Sequence, residues 1–194
     1  MKFEEVKSFI TDKLQKELPR YLSYHSLEHI QDVYSAAEML ADMESISAEE
    51  RTLLLTAVLF HDSGFLINQK DHERTSCEIA EEHLPEYGYT KEQIGKIKGM
   101  IMATKLPQTP HTLPEEIICD ADLDYLGRDD FFKIGNGLYS ELSMYGMIHN
   151  EDEWNKLQIR FLESHHYFTK SSISLRQEKK DSHLAQIKAM IKSS

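Results

Sequence analysis

The sequence predicts an all-α fold, and three observations carry that prediction. Apolar residues recur at helical spacing in nearly every segment. Runs of alternating apolar and polar residues long enough to build a sheet are absent. Capping residues and breakers fall where such helices need to start and stop.

The elements follow in order. Val6, Phe9, Ile10 and Leu14 form one apolar stripe, ended before Pro19. A second helix is expected from about Ser26 to Met43, with Ile30, Val33, Ala37 and Leu40 inward. Ser47 and Glu50 make a capping-box pair. They open a helix through Leu53–Phe60 that is apolar on nearly all faces, hence central. Gly64 is placed to let that helix end and the chain turn. Further helices are expected over roughly 71–84, 91–104 (capped by Thr90 and Gln93), 114–126, 129–145, 151–168 and 172–192. The segment KLPQTPHTLP, with three of the five prolines, reads as a rigid loop between two helices. No Gly/Ser-rich linker, low-complexity tract or repeat interrupts the chain, so one domain over residues 1–194 is expected.

Composition narrows the function classes. A chain of 194 residues with 40% hydrophobic content can bury a substantial core without staples. Thirty-three acidic against twenty-two basic residues give a formal charge of −11, which works against nonspecific nucleic-acid binding. A small phosphorylated ligand in a locally basic pocket remains compatible with that charge. Cys77 and Cys119 are too few for a disulfide scaffold and fit a reducing compartment. The longest apolar stretch, Leu53–Phe60, is too short to cross a bilayer, and the N-terminus mixes charges with apolar residues where a signal peptide would not. A cytoplasmic protein without membrane contact is the expectation.

Chemistry concentrates in three places. YHSLEH sets His25 and His29 four positions apart; if the helix already includes His25, both imidazoles share one face. His61 and Asp62 are adjacent at the end of the most apolar helix, where a carboxylate needs a partner to be buried. The alternative places Asp62 beyond the helix end in solvent, with His61 a satisfied core residue. ICDADLDYLG brings Asp120, Asp122 and Asp124 together after an apolar pair. Two histidines and two aspartates can form a mixed nitrogen and oxygen site with open positions for water or a substrate oxygen. Such a donor set suits Mn²⁺, Fe²⁺, Co²⁺, Ni²⁺, Zn²⁺ or Mg²⁺ alike.

The order His29, then His61-Asp62, then an aspartate in an Ala-Asp-Leu context resembles the H…HD…D signature of the HD-domain metal-dependent phosphohydrolase superfamily. YHSLEHIQDV is also similar to the YHN…H…V motif of cyclic-nucleotide phosphodiesterases, with Ser26 in place of Asn. The resemblance covers about residues 20–127, leaving about 128–194 as a C-terminal helical extension of an HD-domain-like bundle. It implies one divalent metal ion held by His29, His61, Asp62 and Asp122, with Asp120 and Asp124 as competitors that cap or orient instead. It implies His25 and Asp62 as the catalytic residues, with His25 protonating the leaving oxygen; a surface histidine at a helix start is the alternative. His72, His83 and His111 are the candidates for a second metal. GMIMATK, however, lacks the adjacent histidines of dinuclear or oxygenase-type sites, so one metal is expected. Ser63-Gly64-Phe65 stands where alarmone hydrolases of the superfamily carry Glu-Asp, and there is no Glu three residues after Asp62, as some nucleotidases of the superfamily use.

The implied activity is hydrolysis of a nucleotide or related small phosphate ester or anhydride by metal-activated water. The competing readings are a noncatalytic nucleotide sensor and an iron oxygenase on the same fold. Arg20, Lys105 and Arg128 are the expected substrate contacts, each alternatively a solvated surface charge. The segment His165-His166-Tyr167-Phe168, followed by Arg176 and Lys179, is either a lid that stacks on a base or a packed helix end. Cys119 beside the aspartates reads as a small buried residue. Oligomers are compatible with all of this.

Overall fold

A computed structural model describes residues 1–192. Among them the chain forms α-helices and short 3₁₀ turns, with no strand. Helix α1 spans Phe3–Glu17 and buries Val6, Ile10 and Leu14, the stripe its sequence spacing sets out. Helix α2 (Leu27–Met43) begins one residue after its N-cap, Ser26, whose hydroxyl accepts from the His29 N–H. His25 therefore precedes the helix, in a bend that the Ser26 N–H closes on the Tyr24 carbonyl at 2.7 Å, so the reading that required His25 inside the helix does not hold.

Helix α3 (Ala48–Phe60) opens on the Ser47–Glu50 capping box and buries every residue from Leu53 to Phe60. Helices α1, α2, α5 and α6 all pack against it. A 3₁₀ turn, Ser63–Leu66, follows. Gly64 sits inside this turn, and its role differs from a helix stop: a Cβ there would lie 2.0 Å from the His72 carbonyl oxygen. Only a glycine lets the turn meet the start of α4 (His72–His83) this closely. Helix α5 (Lys91–Ala103) carries the Thr90–Gln93 capping box. Helix α6 spans Leu113–Asp122 and hands over to a 3₁₀ turn at Asp124–Gly127.

The C-terminal third builds a second core on this turn. Helices α7 (Phe131–Met144), α8 (Glu151–Ser164) and α9 (Lys170–Lys192) gather around Tyr24, Tyr125, Leu126, Phe131, Leu162 and Ile187. Residues 165–168, expected to continue α8, are instead non-helical. The Asp120 carboxylate accepts from the Phe168 N–H at 2.9 Å and the Thr169 N–H at 2.8 Å, which draws the chain out of the helix and starts α9. Tyr167 is buried, with its hydroxyl donating to the Leu123 carbonyl at 3.4 Å. The segment is thus a packed helix end and not a free lid. No described helix is long and apolar enough to cross a membrane.

Candidate metal centre

Three elements converge at the centre. The first turn of α2 supplies His29, the end of α3 supplies His61 and Asp62, and the last residue of α6 is Asp122. His29 Nε2 lies 3.2 Å from Asp122 Oδ1 and 3.6 Å from Asp62 Oδ2. His61 Nε2 lies 3.3 Å from Asp62 Oδ2 and 3.6 Å from Asp122 Oδ1. One ligand atom from each of His29, His61 and Asp122 falls within 4.8 Å of the others. His29, His61 and Asp62 are all buried.

The hydrogen-bond inventory identifies what these atoms lack. His61 Nδ1 sits 2.8 Å from the Val58 carbonyl, an acceptor, so this nitrogen carries the proton. That leaves Nε2 facing two carboxylates, where it holds a proton or, with the ring neutral, offers a lone pair to a cation. Both His61 Nε2 and Asp62 Oδ2 are buried without a hydrogen-bond partner. Lone pairs gathered in this way repel unless a proton or a cation sits among them. A divalent cation accepts all of them at once, so the residues fit one.

The same grouping perturbs titration. Burial opposes charge on His61, yet the Asp62 and Asp122 carboxylates raise its pKa well above the ordinary imidazole value. Burial also works against the Asp62 carboxylate, but His61 and then His72 hold it well below the usual range. Asp122 falls to about 2, because the His29 hydrogen bond and the His61 ring beside it outweigh its burial.

Asp120 and Asp124 turn away from this centre. Asp120 is spent on Phe168 and Thr169, including a 2.7 Å bond from the Thr169 hydroxyl. Asp124, 2% exposed, accepts from Arg176 Nε at 2.7 Å and lies 3.4 Å from Arg128 Nη1. Both aspartates tie the C-terminal helices to α6, leaving Asp122 as the member of the cluster beside the histidines.

His25 stands at the edge of the centre, its ring centroid 6.3 Å from that of His29. It stacks on Phe65 at 4.1 Å. Its Nδ1 lies 2.5 Å from Glu141 Oε1, and Glu141 Oε2 accepts from the backbone N–H groups of Tyr24 at 3.0 Å and His25 at 3.2 Å. Glu141 is 1% exposed. Burial alone would raise its pKa, but the His25 hydrogen bond leads the contacts that lower it. An ionised carboxylate accepts only, so the proton is on His25 Nδ1 and Nε2 is the working nitrogen. Sequence reasoning missed Glu141. Its one signal is a charged residue on an amphipathic helix, where an exposed position is the default.

The remaining expectations separate. His72 Nε2 comes within 3.4 Å of Asp62 Oδ1 and 3.5 Å of Glu73 Oε1, next to the centre. His83, by contrast, packs its ring 4.8 Å from Phe9 of α1, and His111 is exposed with its N–H bonded to Glu115. Arg128, expected at the substrate, is instead engaged by Asp32, Asp124 and Asp130, a clamp between α2 and the Asp124 turn. Lys105 pairs with Asp71, which immediately precedes His72, at 2.8 Å. Arg20 is exposed on the turn that leads into Tyr24-His25.

Comparison with known proteins agrees with this architecture. The family described as HD domain matches residues 26–124, about half of the chain, a span that contains His29, His61, Asp62 and Asp122. An uncharacterized protein of Clostridium beijerinckii is 35% identical over 89 residues, covering 44% of this chain and 56% of that protein. The chain therefore spans little more than half the length of that curated relative. Among solved structures, Bacillus subtilis YpgQ in complex with ADP superposes with a TM-score of 0.69 at 18% identity, covering 100% of this chain and 97% of that one. A Lactobacillus plantarum protein solved as a structural-genomics target superposes with a TM-score of 0.67 at 16% identity, covering 100% of both chains. At such identities the likeness establishes the fold.

Proposed function

This chain belongs to the HD domain family, a superfamily of metal-dependent phosphohydrolases, and from that premise we propose that it hydrolyses a phosphate ester or anhydride of a nucleotide. The observation that carries the proposal is the unpartnered pair His61 Nε2 and Asp62 Oδ2, buried where His29 and Asp122 also converge. These four side chains would hold one divalent cation. When bound, such an ion neutralises phosphoryl charge and makes water acidic enough to attack at neutral pH.

The chain's own residues divide the remaining work. Glu141 accepts the Nδ1–H of His25, and Phe65 backs the ring, so that a second proton, carried on Nε2, is the one passed to the leaving oxygen. Burial of His29, His61 and Asp62 excludes bulk water and strengthens charge interactions there. A water nucleophile matches the absence of a nucleophile motif in the sequence: both cysteines are buried, and burial first of all pushes Cys77 up to about 11. The nucleotide is favoured because a protein of the same fold was solved with ADP.

The test is release of phosphate and pyrophosphate from a nucleotide panel, cyclic ones included, with Mg²⁺, Mn²⁺, Co²⁺ and Ni²⁺, with Asp62→Ala run alongside. The expected result is metal-dependent release that the variant loses. Nucleotide binding without release in any metal would instead make the protein a sensor.

A further inference from the structure

Helices α7 and α8 face each other without packing together. Helix α8 packs along α9, while a cavity of about 420 Å³ separates it from α7. Packed interiors hold few voids larger than a water molecule, and a space of this size is that of a small-molecule site. It shares no residue with the metal centre. One face of each helix lines it. Phe132 and Tyr139 come from α7 at a spacing of seven, and Glu151, Trp154 and Gln158 from α8 at spacings of three and four. Trp154 and Gln158 are buried, whereas Ser140 and Glu151 are exposed at the mouth. Tyr139 and Trp154 meet across the gap, with ring centroids 5.8 Å apart and planes at 40°.

The chemistry of the wall defines what it can hold. Among the described residues, no lysine, arginine or histidine lines the cavity, and Glu151 is its one charged side chain. A phosphate or carboxylate would meet only negative charge there, so this is not a second nucleotide site. The ion pairs of α8 join Asp152 to Lys156 and Glu163 to Lys188, and leave Glu151 without one among the described residues. Donor protons of the wall are used internally. The Ser140 hydroxyl donates to the Asn136 carbonyl at 2.9 Å, and Gln158 Nε2 donates to Asn155 Oδ1 at 3.4 Å. Lone pairs remain on Ser140 Oγ and on Gln158 Oε1. The latter faces α7, since a Cβ at Gly135 would lie 3.6 Å from it. Acceptors without donors, one unpaired carboxylate and three aromatic rings together suit a cation that brings its own N–H groups.

We propose that the cavity between α7 and α8 binds a protonated aliphatic amine, its ammonium group at Glu151 and its methylene stem against Tyr139 and Trp154. The site is separate from the metal centre and does not depend on the phosphohydrolase reading.

Trp154 is the one tryptophan of the chain, so its fluorescence reports on the cavity directly. The experiment titrates the full chain with diaminobutane, and with butanediol as the neutral counterpart of the same length, at fixed ionic strength. A saturable change with the diamine and none with the diol is expected. Glu151→Gln weakens diamine binding by about tenfold, the effect of losing a charged hydrogen-bond partner. Asp152→Asn, which removes a neighbouring charge outside the cavity, leaves it unchanged. No saturable change in the wild type, or an equal response to the diol, overturns the proposal. So does an affinity that Glu151→Gln leaves intact. Equal weakening by both variants overturns it as well, because the amine would then be following the acidic surface.

Discussion

Glu141 Oε1 lies 2.5 Å from His25 Nδ1 across a separation of 116 positions. The family match at residues 26–124 includes neither residue. The C-terminal helices therefore do more than cover the motif-bearing core, because α7 brings the carboxylate that sets which nitrogen of His25 faces the site. Glu141→Gln keeps the size and weakens this hold. The expected outcome is a kcat lower by about ten- to a hundredfold with bound metal unchanged, since general acid groups contribute roughly 10²–10⁴ in rate. Steady-state kinetics with metal analysis of the same preparation checks it.

The same carboxylate also contributes to stability. Its folded pKa is depressed below the ordinary value of 4.5, against burial, by the bonds from His25 and the Tyr24 and His25 N–H groups. A depressed carboxyl stabilises the fold above its unfolded pKa and loses that contribution as pH falls through the folded value. Denaturant unfolding of wild type and Glu141→Gln from pH 7 to pH 3 reads this. The wild type is more stable by about 1–3 kcal/mol near neutrality, and the gap narrows once pH drops below 4.5.

The three aspartates of α6 and its following turn separate by variant. Asp122→Asn removes a charged member of the cluster and abolishes tight divalent-metal binding. Asp120→Asn leaves metal binding intact and destabilises the fold by about 1–3 kcal/mol, through the bonds to Phe168 and Thr169. Titration calorimetry with Mn²⁺ and thermal unfolding on both variants distinguish the two roles.

Asp124 makes a further structural prediction. Its carboxylate is buried between Arg176 and Arg128. Asp124→Asn takes from Arg176 its carboxylate partner while Arg128 keeps Asp32 and Asp130, at about 1.5–3 kcal/mol for the lost charged hydrogen bonds. Chemical denaturation checks the loss, and metal stoichiometry stays that of the wild type.

Much of this was legible in the sequence, for identifiable reasons. Stripes such as Val6-Ile10-Leu14 and the boxes at Ser47–Glu50 and Thr90–Gln93 are local signals, and local signals set helix existence and helix starts. The order of His29, His61-Asp62 and Asp122 was readable because each sits at the end of an element whose direction the apolar pattern fixes. What was hidden depends on distant partners. Residues 165–168 leave the helix because Asp120 competes for their N–H groups. Ser26 takes the N-cap and so leaves His25 outside α2. Arg128 is claimed by Asp32 across 96 positions, and no spacing rule encodes that contact.

The most direct test of the metal centre is diffraction from a crystal soaked in Mn²⁺, recorded at the manganese absorption edge. The account predicts one strong anomalous peak bounded by His29, His61, Asp62 and Asp122. A map with no peak among these four side chains, or with the ion seated instead at Asp120 or Asp124, would contradict it.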